Sequence, residues 1–392
     1  MGSDGWPGAP AAGEATSWGL GENTRAVHLP PAPVPGLQPS AGVSWDHPAA
    51  EAFATAVAAM EGGRLPQPTM AQAFASGMAA TSAVFWTFAQ AGTHVVAPVG
   101  VHPSTYGFLR NVAARFGVRT DFVDMTNLRE VQAALRPETR IVYAETLASP
   151  ATAVADLPAL AGLAHAIGAL LIVDSTLTPP VVCRPLEHGA DLVLHSAAEY
   201  IGGHGDASGG VVAGHPDLIG MIHAVRVDTG GSLAPDQAFM LRHGLQTLPV
   251  RVRRQCATAM LFAAALARHP AVRAVDYPGL PQHRGHELAR RLFDAGPEGT
   301  RCGAAVTVTP HGGREVGHAF ADRLRIAQAG ESPGGAHTKA SHLATGGYRE
   351  FDAVALAAAG IDPGAVRFSI GLEDGEDLIA DARLALDSLG SS

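Results

Sequence analysis

Residues 170–214 read LLIVDSTLTPPVVCRPLEHGADLVLHSAAEYIGGHGDASGGVVAG and contain three short apolar runs, LLIVDST, LVLHSA and GGVVAG. Each run has the length of a β-strand, and its apolar residues are nearly continuous rather than alternating with polar ones. Such runs are typical of strands buried on both faces, as in a parallel sheet that helices cover. This stretch therefore predicts an α/β fold.

The pattern continues on both sides of this stretch. Upstream, HVVAPV, RTDFVDM and RIVYAET are strand-like, and helical segments such as NLREVQAALRP and LPALAGLAHAIGA separate several of the runs. Repeated strand–helix units predict a mostly parallel sheet. From about residue 246 helices come first, and RCGAAVTVTP and AVRFSIGL then alternate with further helices. We therefore expect an extended Pro- and Gly-rich arm over 1–48, a large α/β domain over 49–247 and a smaller α+β domain over 248–392.

Composition and charge exclude several classes of protein. The chain has 392 residues, 47% of them apolar, and a formal net charge of −9. This composition excludes a wholly disordered protein, and the charge gives no basic footprint for nucleic acid or an anionic membrane. No run of about 20 apolar residues predicts a membrane span. The N-terminal MGSDGWPGAPAAGEATS lacks the apolar core of a signal peptide, so we expect a cytoplasmic protein.

Metal and disulfide chemistry is not indicated by the sequence. Three widely spaced cysteines argue against a disulfide framework or a Cys-rich zinc site. No H-x-x-x-H or H-E-x-x-H pair connects His47, His102 and His337, so we predict no metal site. The chain contains a single lysine, Lys339, which is the one candidate for any mechanism that needs a lysine amine.

A ligand site is expected where the parallel strands end. In open α/β sheets ligands bind beyond the carboxyl ends of the strands. Asp174 follows LLIV, Glu145 follows RIVYA and Ser196 follows LVLH. Residues 76–78 open a helix, whose first N–H groups suit an anion. Together these positions predict one ligand-binding site at the carboxyl edge of the sheet.

Six motifs carry a resemblance to a known family. They are TRAVH (24–28), FASGMAA (74–80), the block from 173 to 206, LRHGLQTLPVR (241–251), ESPGG (331–335) and VRFSIGLED (366–374). From about Thr24 onward the chain resembles the trans-sulfuration family of fold-type-I pyridoxal phosphate (PLP) enzymes, which includes methionine γ-lyase, cystathionine γ-lyase and cystathionine γ-synthase. The resemblance implies a seven-stranded α/β domain, a small C-terminal domain, and a homodimer or homotetramer.

The resemblance also implies roles for residues that match the motifs. Asp174 matches the residue that bonds the pyridine nitrogen, and Gly77, Met78 and Ser196 match part of the phosphate cradle. The remaining matches concern the substrate. Arg367 matches the arginine that binds the substrate carboxylate, Ser332 matches a residue beside it, and Glu331 matches a position at the mouth of the site.

Several positions depart from the family pattern. Glu199 stands where the motif has the lysine that forms the Schiff base, and Ala198 stands where it has a threonine that binds phosphate. His102 replaces the tyrosine that stacks on the cofactor ring, and Ser149 replaces an asparagine that bonds the cofactor's phenolic oxygen. By ungapped count, Gly42 and Ser44 replace a tyrosine and an arginine that reach a neighbouring subunit's phosphate. PLP is implied by the resemblance, but these departures predict that it is not held covalently.

The sequence thus predicts a divergent family member with several functional alternatives. The first is PLP-independent acid–base or lyase-type chemistry in specialised metabolism on an amino-acid-like or carboxylate-bearing small molecule. In it, Glu199, Asp174 and His102 are catalytic, and Arg367, Ser332, Glu331 and Ser149 bind substrate. The others are a non-catalytic ligand-binding or regulatory protein, an enzyme that binds PLP or pyridoxamine phosphate non-covalently, and a Schiff base relocated to Lys339.

Overall fold

The computed structural model describes residues 47–148 and 152–389. Almost all of the expected N-terminal arm, including Gly42 and Ser44, lies outside the described residues, and so does Ser149. The helices are α1 Pro48–Glu61, α2 Gly77–Phe88, α3 Pro103–Gly107, α4 Leu128–Ala134, α5 Leu157–His165, α6 Pro216–Thr229, α7 Pro235–Leu266, α8 His286–Leu292, α9 Gly313–Asp322, α10 Ala353–Ala358 and α11 Gly375–Asp387. Short π- and 3₁₀-helical turns cover Phe108–Val112, Ala113–Phe116, Pro185–His188 and Ala198–Gly202.

The strands form a large and a small sheet, with two short hairpins. They are β1 Met70–Phe74, β2 His94–Pro98, β3 Arg119–Val123, β4 Thr139–Glu145, β5 Leu147–Ala148, β6 Ala153–Val154, β7 Leu170–Asp174, β8 Leu192–Ser196, β9 Gly210–Gly214, β10 Val272–Asp276, β11 Ala295–Gly296, β12 Gly299–Thr300, β13 Ala305–Pro310, β14 Gln328–Ala329, β15 Lys339–His342 and β16 Val366–Ser369.

The large sheet has seven strands in the order β1-β9-β8-β7-β4-β2-β3. Strands β2, β3, β4, β7 and β8 pair in parallel, whereas β9 pairs antiparallel with both β8 and β1. This confirms the predicted α/β fold with a mostly parallel seven-stranded sheet. All six predicted strands of this domain are present; the edge strand β1 was not predicted.

Both faces of the large sheet are buried, which explains the continuous apolar runs. Successive residues of a strand point to opposite faces. One face contributes Val142, Ala144, Leu171 and Val173 to the main hydrophobic core. The opposite face contributes Ile141, Tyr143, Ile172 and Leu194 to a second core under α2 and α6. Polar side chains are therefore expected mainly at the strand ends, where a ligand site forms.

The C-terminal part is built on a five-stranded sheet in the order β10-β13-β16-β15-β14. The 32-residue helix α7 leads into it and contains Pro249. The expected domain boundary at residue 247 falls within this helix, and the division into domains stays a prediction. No helix in the described ranges is long and apolar enough to cross a membrane.

Candidate functional site

A cavity of about 390 Å³ lies at the carboxyl ends of β4, β7 and β8. Ligand pockets in proteins commonly measure about 300–1,000 Å³. Its polar and charged lining is Ser76, Thr81, His102, Thr105, Glu145, Asp174, Thr176, Ser196, Glu199, Ser208, Glu331 and Arg367. The cavity thus lies at the predicted edge of the sheet, and β16 and the loop before β15 contribute to its lining.

Asp174 is the last residue of β7, and two neutral donors hold its carboxylate. Tyr143 donates its hydroxyl to Asp174 Oδ2 at 3.2 Å, and the backbone N–H of Thr176 donates to Oδ1 at 2.9 Å. Burial raises the pKa of Tyr143 well above its usual value, and the charge of Asp174 raises it further. The tyrosine therefore remains a donor at neutral pH and fixes the orientation of the carboxylate.

Glu199 lies in the helical turn after β8, and its carboxyl group faces the cavity. Ser332 donates a hydrogen bond of 2.6 Å from its hydroxyl to Glu199 Oε2. Burial raises the pKa of Glu199, an effect that the Ser332 hydrogen bond and the charge of Arg367 oppose and that Asp174 reinforces. A carboxyl group with a raised pKa is suited to proton transfer near neutral pH.

Arg367 reaches the same space from β16 of the small sheet. Its Nη2 donates to the backbone carbonyl oxygen of Glu331 at 2.6 Å. The Glu331 carboxylate accepts a long hydrogen bond of 3.5 Å from Ser341 Oγ. The planar guanidinium presents donors in a fork that matches a carboxylate, so Arg367 can bind the acid group of a ligand.

His102 precedes α3 and lies between these groups. Its backbone N–H donates to Glu145 Oε1 at 2.8 Å, and its Nδ1 accepts from the Ser104 N–H at 3.3 Å. Burial lowers the pKa of His102, and Arg367 lowers it further, while Asp174 and Glu331 oppose the shift. The ring is therefore mainly neutral at pH 7, and because Nδ1 accepts the Ser104 N–H, Nε2 carries the hydrogen.

The amino-terminal end of α2 closes the cavity near Ser196. Ser76 Oγ caps this helix by accepting from the Ala79 N–H at 3.0 Å. A Cβ on Gly77 would lie 2.9 Å from the Ser196 Cβ, which explains the glycine at this close approach. Gly77, Met78 and Ser196 all line the cavity, so part of the predicted phosphate cradle is assembled at this end.

The structure brings most of the predicted site residues together. Eight of them line the cavity, namely Glu199, Asp174, His102, Arg367, Glu331, Gly77, Met78 and Ser196. Ser332 contacts Glu199 directly. Ser149 lies outside the described residues, and the side chain of His337 is exposed elsewhere. The roles assigned to all these residues remain predictions.

Two contributors to the site were not assigned a role from the sequence. Glu145 is buried at the end of β4 and accepts a hydrogen bond from the His102 backbone N–H. Its position at the end of a predicted strand was the sequence feature that indicated it. Thr176 Oγ1 accepts from the Ser196 N–H at 2.8 Å and so links the ends of β7 and β8. A threonine two residues beyond a strand carries no signal of this kind.

Comparisons with known proteins place the chain in a family. Residues 45–387 match the family model described as Cys/Met metabolism PLP-dependent enzyme. The chain belongs to this family. It is 38% identical over 318 residues to an L-methionine gamma-lyase of Treponema denticola, an alignment that covers 80% of this chain and 78% of that protein.

Other family members are similarly related. The chain is 41% identical over 319 residues to a canavanine gamma-lyase of Rhizobium leguminosarum bv. trifolii, covering 81% of this chain and 78% of that protein. The crystal structure of metB from Corynebacterium glutamicum superposes with a TM-score of 0.86 at 31% identity, covering 95% of this chain and 99% of that one. The family membership and the fold implied by the sequence motifs are thereby confirmed.

The described residues that line this cavity offer no lysine amine to the family cofactor. A Schiff base to PLP requires a lysine amine at the cavity, and the one lysine of the chain is Lys339. Lys339 is not among the residues lining the cavity; its Nζ donates to Gln328 Oε1 on the neighbouring strand. The lining instead presents the Glu199 carboxyl, which cannot form an imine. Asp174 and the amino-terminal end of α2 line the cavity, and the described lining includes no lysine beside them.

Proposed function

We propose that this protein binds an amino-acid-like or carboxylate-bearing small molecule between Arg367 and Glu199, and acts on it without covalently bound PLP. The observation that carries the proposal is the Glu199 carboxyl, which is half-buried in the cavity, bonded to Ser332 and close enough to Arg367 for their charges to interact. A ligand carboxylate can pair with the Arg367 guanidinium in a bidentate manner. The naming of relatives as methionine and canavanine γ-lyases supports an amino acid as ligand.

Glu199 is the proposed proton-transfer group. Its raised pKa brings its protonated and ionised forms closer in free energy at neutral pH, so the carboxyl can take a proton from the ligand and return it. Ser332 holds Oε2 in place, and Oε1 is the oxygen proposed to act on the ligand. Asp174 and the neutral His102 complete the polar wall, and acid–base or lyase-type chemistry is the class of reaction that these groups support.

Two substitutions test the proposal together. Arg367→Ala should weaken binding of carboxylate ligands, and Glu199→Gln should abolish turnover while the ligand still binds. Full turnover of a substrate by both variants would overturn the assignment. A protein that binds the same ligands in wild type and Glu199→Gln, with no turnover in either, would be a binding or regulatory protein instead. Saturable PLP binding without lysine modification would favour the non-covalent cofactor alternative.

A further inference from the structure

The charges lining the cavity are strongly unbalanced. Among the described residues that line the cavity, four carry carboxyl groups: Glu145, Asp174, Glu199 and Glu331. The same lining contains one guanidinium, that of Arg367, and the imidazole of His102 is mainly neutral. A doubly negative phosphate would add to this excess, whereas a cation would reduce it. The lining therefore favours a ligand that brings more positive than negative charge.

The hydrogen bonds of the central carboxylates do not remove this charge. Asp174 accepts from a tyrosine hydroxyl and a backbone N–H, and Glu199 accepts from a serine hydroxyl. All three donors are neutral groups, so they orient the oxygens but leave the negative charges in place. Asp174 and Glu199 are both half-buried, and charges partly withdrawn from water are destabilised unless an opposite charge pairs with them. The raised pKa of Glu199 records this cost.

Arg367 limits which cations fit. Its charge acts on both His102 and Glu199, so it lies within the same electrostatic environment as the carboxylates. A simple metal ion or a polyamine would be repelled by this guanidinium and would leave it without a ligand carboxylate. A molecule that carries an acid group at one end and cationic groups at the other satisfies both sides of the cavity.

We propose that the ligand is a basic amino acid, with its carboxylate on Arg367 and its cationic side chain against Asp174 and Glu199. This proposal rests on the proposed function, since it assumes a carboxylate ligand at Arg367. It adds the positive charge of the ligand side chain as the feature that selects the ligand. An amino acid of the same shape with an uncharged side chain would leave the carboxylates of Asp174 and Glu199 without an opposite charge. The free-energy cost of this loss would favour the cationic ligand over the uncharged one.

L-Arginine and L-citrulline provide the test, because they are nearly identical in shape and differ in side-chain charge. Binding of each to the full-length protein is measured by titration calorimetry at low salt, without added cofactor. We expect arginine to bind at least about tenfold more tightly than citrulline, as one charge-assisted pair accounts for such a ratio. Agmatine, which is arginine without its carboxylate, should bind more weakly than arginine.

Variants separate this proposal from the one on which it rests. Asp174→Asn and Glu199→Gln should bring the arginine-to-citrulline ratio towards one, whereas Arg367→Ala should weaken both ligands alike. Glu287→Gln, at an exposed carboxylate distant in sequence, should leave the ratio unchanged. Citrulline binding as tightly as arginine, with both dependent on Arg367, would overturn the charge selection and leave the proposed function standing. No binding of any amino acid would overturn both.

Discussion

Ser332 and Glu199 are 133 residues apart in the chain, and a hydrogen bond of 2.6 Å joins the hydroxyl of one to the carboxylate of the other. This contact ties the loop before β15 to the turn after β8, and so connects the two sheets at the cavity. It also fixes one oxygen of the Glu199 carboxyl.

The first prediction concerns pH. Because burial raises the pKa of Glu199, the carboxyl is protonated at low pH and ionises as the pH rises through that raised value. A cationic ligand binds the ionised form better, so arginine affinity should rise with pH across this window and then level off. Calorimetric titrations at a series of pH values measure this dependence.

Two variants assign that pH dependence to Glu199. Ser332→Ala removes a hydrogen bond that lowers the pKa of Glu199, so the midpoint should move to higher pH. Glu199→Gln should remove the step, because the amide does not titrate. A step that persists unchanged in Glu199→Gln would show that another group controls it.

The second prediction concerns the loop that carries Ser332. Gly334 has φ of +80°, and a Cβ there would lie 2.5 Å from the backbone nitrogen of Tyr200, next to Glu199. Gly334→Ala should therefore destabilise the protein by about 1–3 kcal/mol and weaken ligand binding, because the loop must move away from Glu199. Thermal unfolding and calorimetry measure the two effects.

The neighbouring glycine provides a matched control. A Cβ on Gly335 would meet no atom within 4 Å, so Gly335→Ala should change stability and binding little. Equal effects of the two substitutions would contradict the close packing of Gly334 on Tyr200.

The third prediction concerns a buried pair beside the end of β8. Glu61 Oε1 lies 2.6 Å from His195 Nε2, and both side chains are inaccessible to solvent, at 0% and 1% exposure. Because His195 precedes Ser196 in β8, this pair supports the strand end that lines the cavity. Glu61→Ala should lower the free energy of unfolding by about 1–3 kcal/mol, as expected when a buried group loses its hydrogen-bond partner.

An exposed pair gives the comparison for that measurement. Glu287 lies 3.5 Å from Arg290, and both side chains are more than half exposed, so Glu287→Ala should cost about 0–1 kcal/mol. Urea unfolding at one protein concentration measures both variants. Similar losses in the two would mean that the Glu61–His195 pair contributes no more than a surface contact.

Much of the fold could be predicted from the sequence, because the apolar runs of the parallel strands directly reflect burial on both faces. The edge strand β1 was missed because MAQAF mixes polar and apolar residues and pairs on one side alone. Helices were expected to come first from about residue 246, but helix α7 starts earlier, although proline normally interrupts a helix. It begins at Pro235 and continues through Pro249, where the buried Leu245, Leu248 and Val252 pack around the interruption.

The site was predictable only in part. Strand-end positions indicated Asp174, Glu145 and Ser196, because their edge of the sheet follows from the parallel topology. The hydrogen bond from Ser332 to Glu199 and the support of Asp174 by Tyr143 depend on how distant segments pack, and no local pattern records that. The balance of charge around the cavity likewise emerges only when the lining is assembled.

The central claim is that the cavity works with a carboxyl at Glu199 and without a covalently bound cofactor. Purified protein is incubated with excess PLP, reduced with borohydride and analysed by intact mass and peptide mapping, with a methionine γ-lyase as positive control. We predict a modified lysine in the control and none in this protein, because Lys339 lies outside the cavity lining. Stoichiometric modification of Lys339 would contradict the account and would place the family's covalent chemistry on this residue.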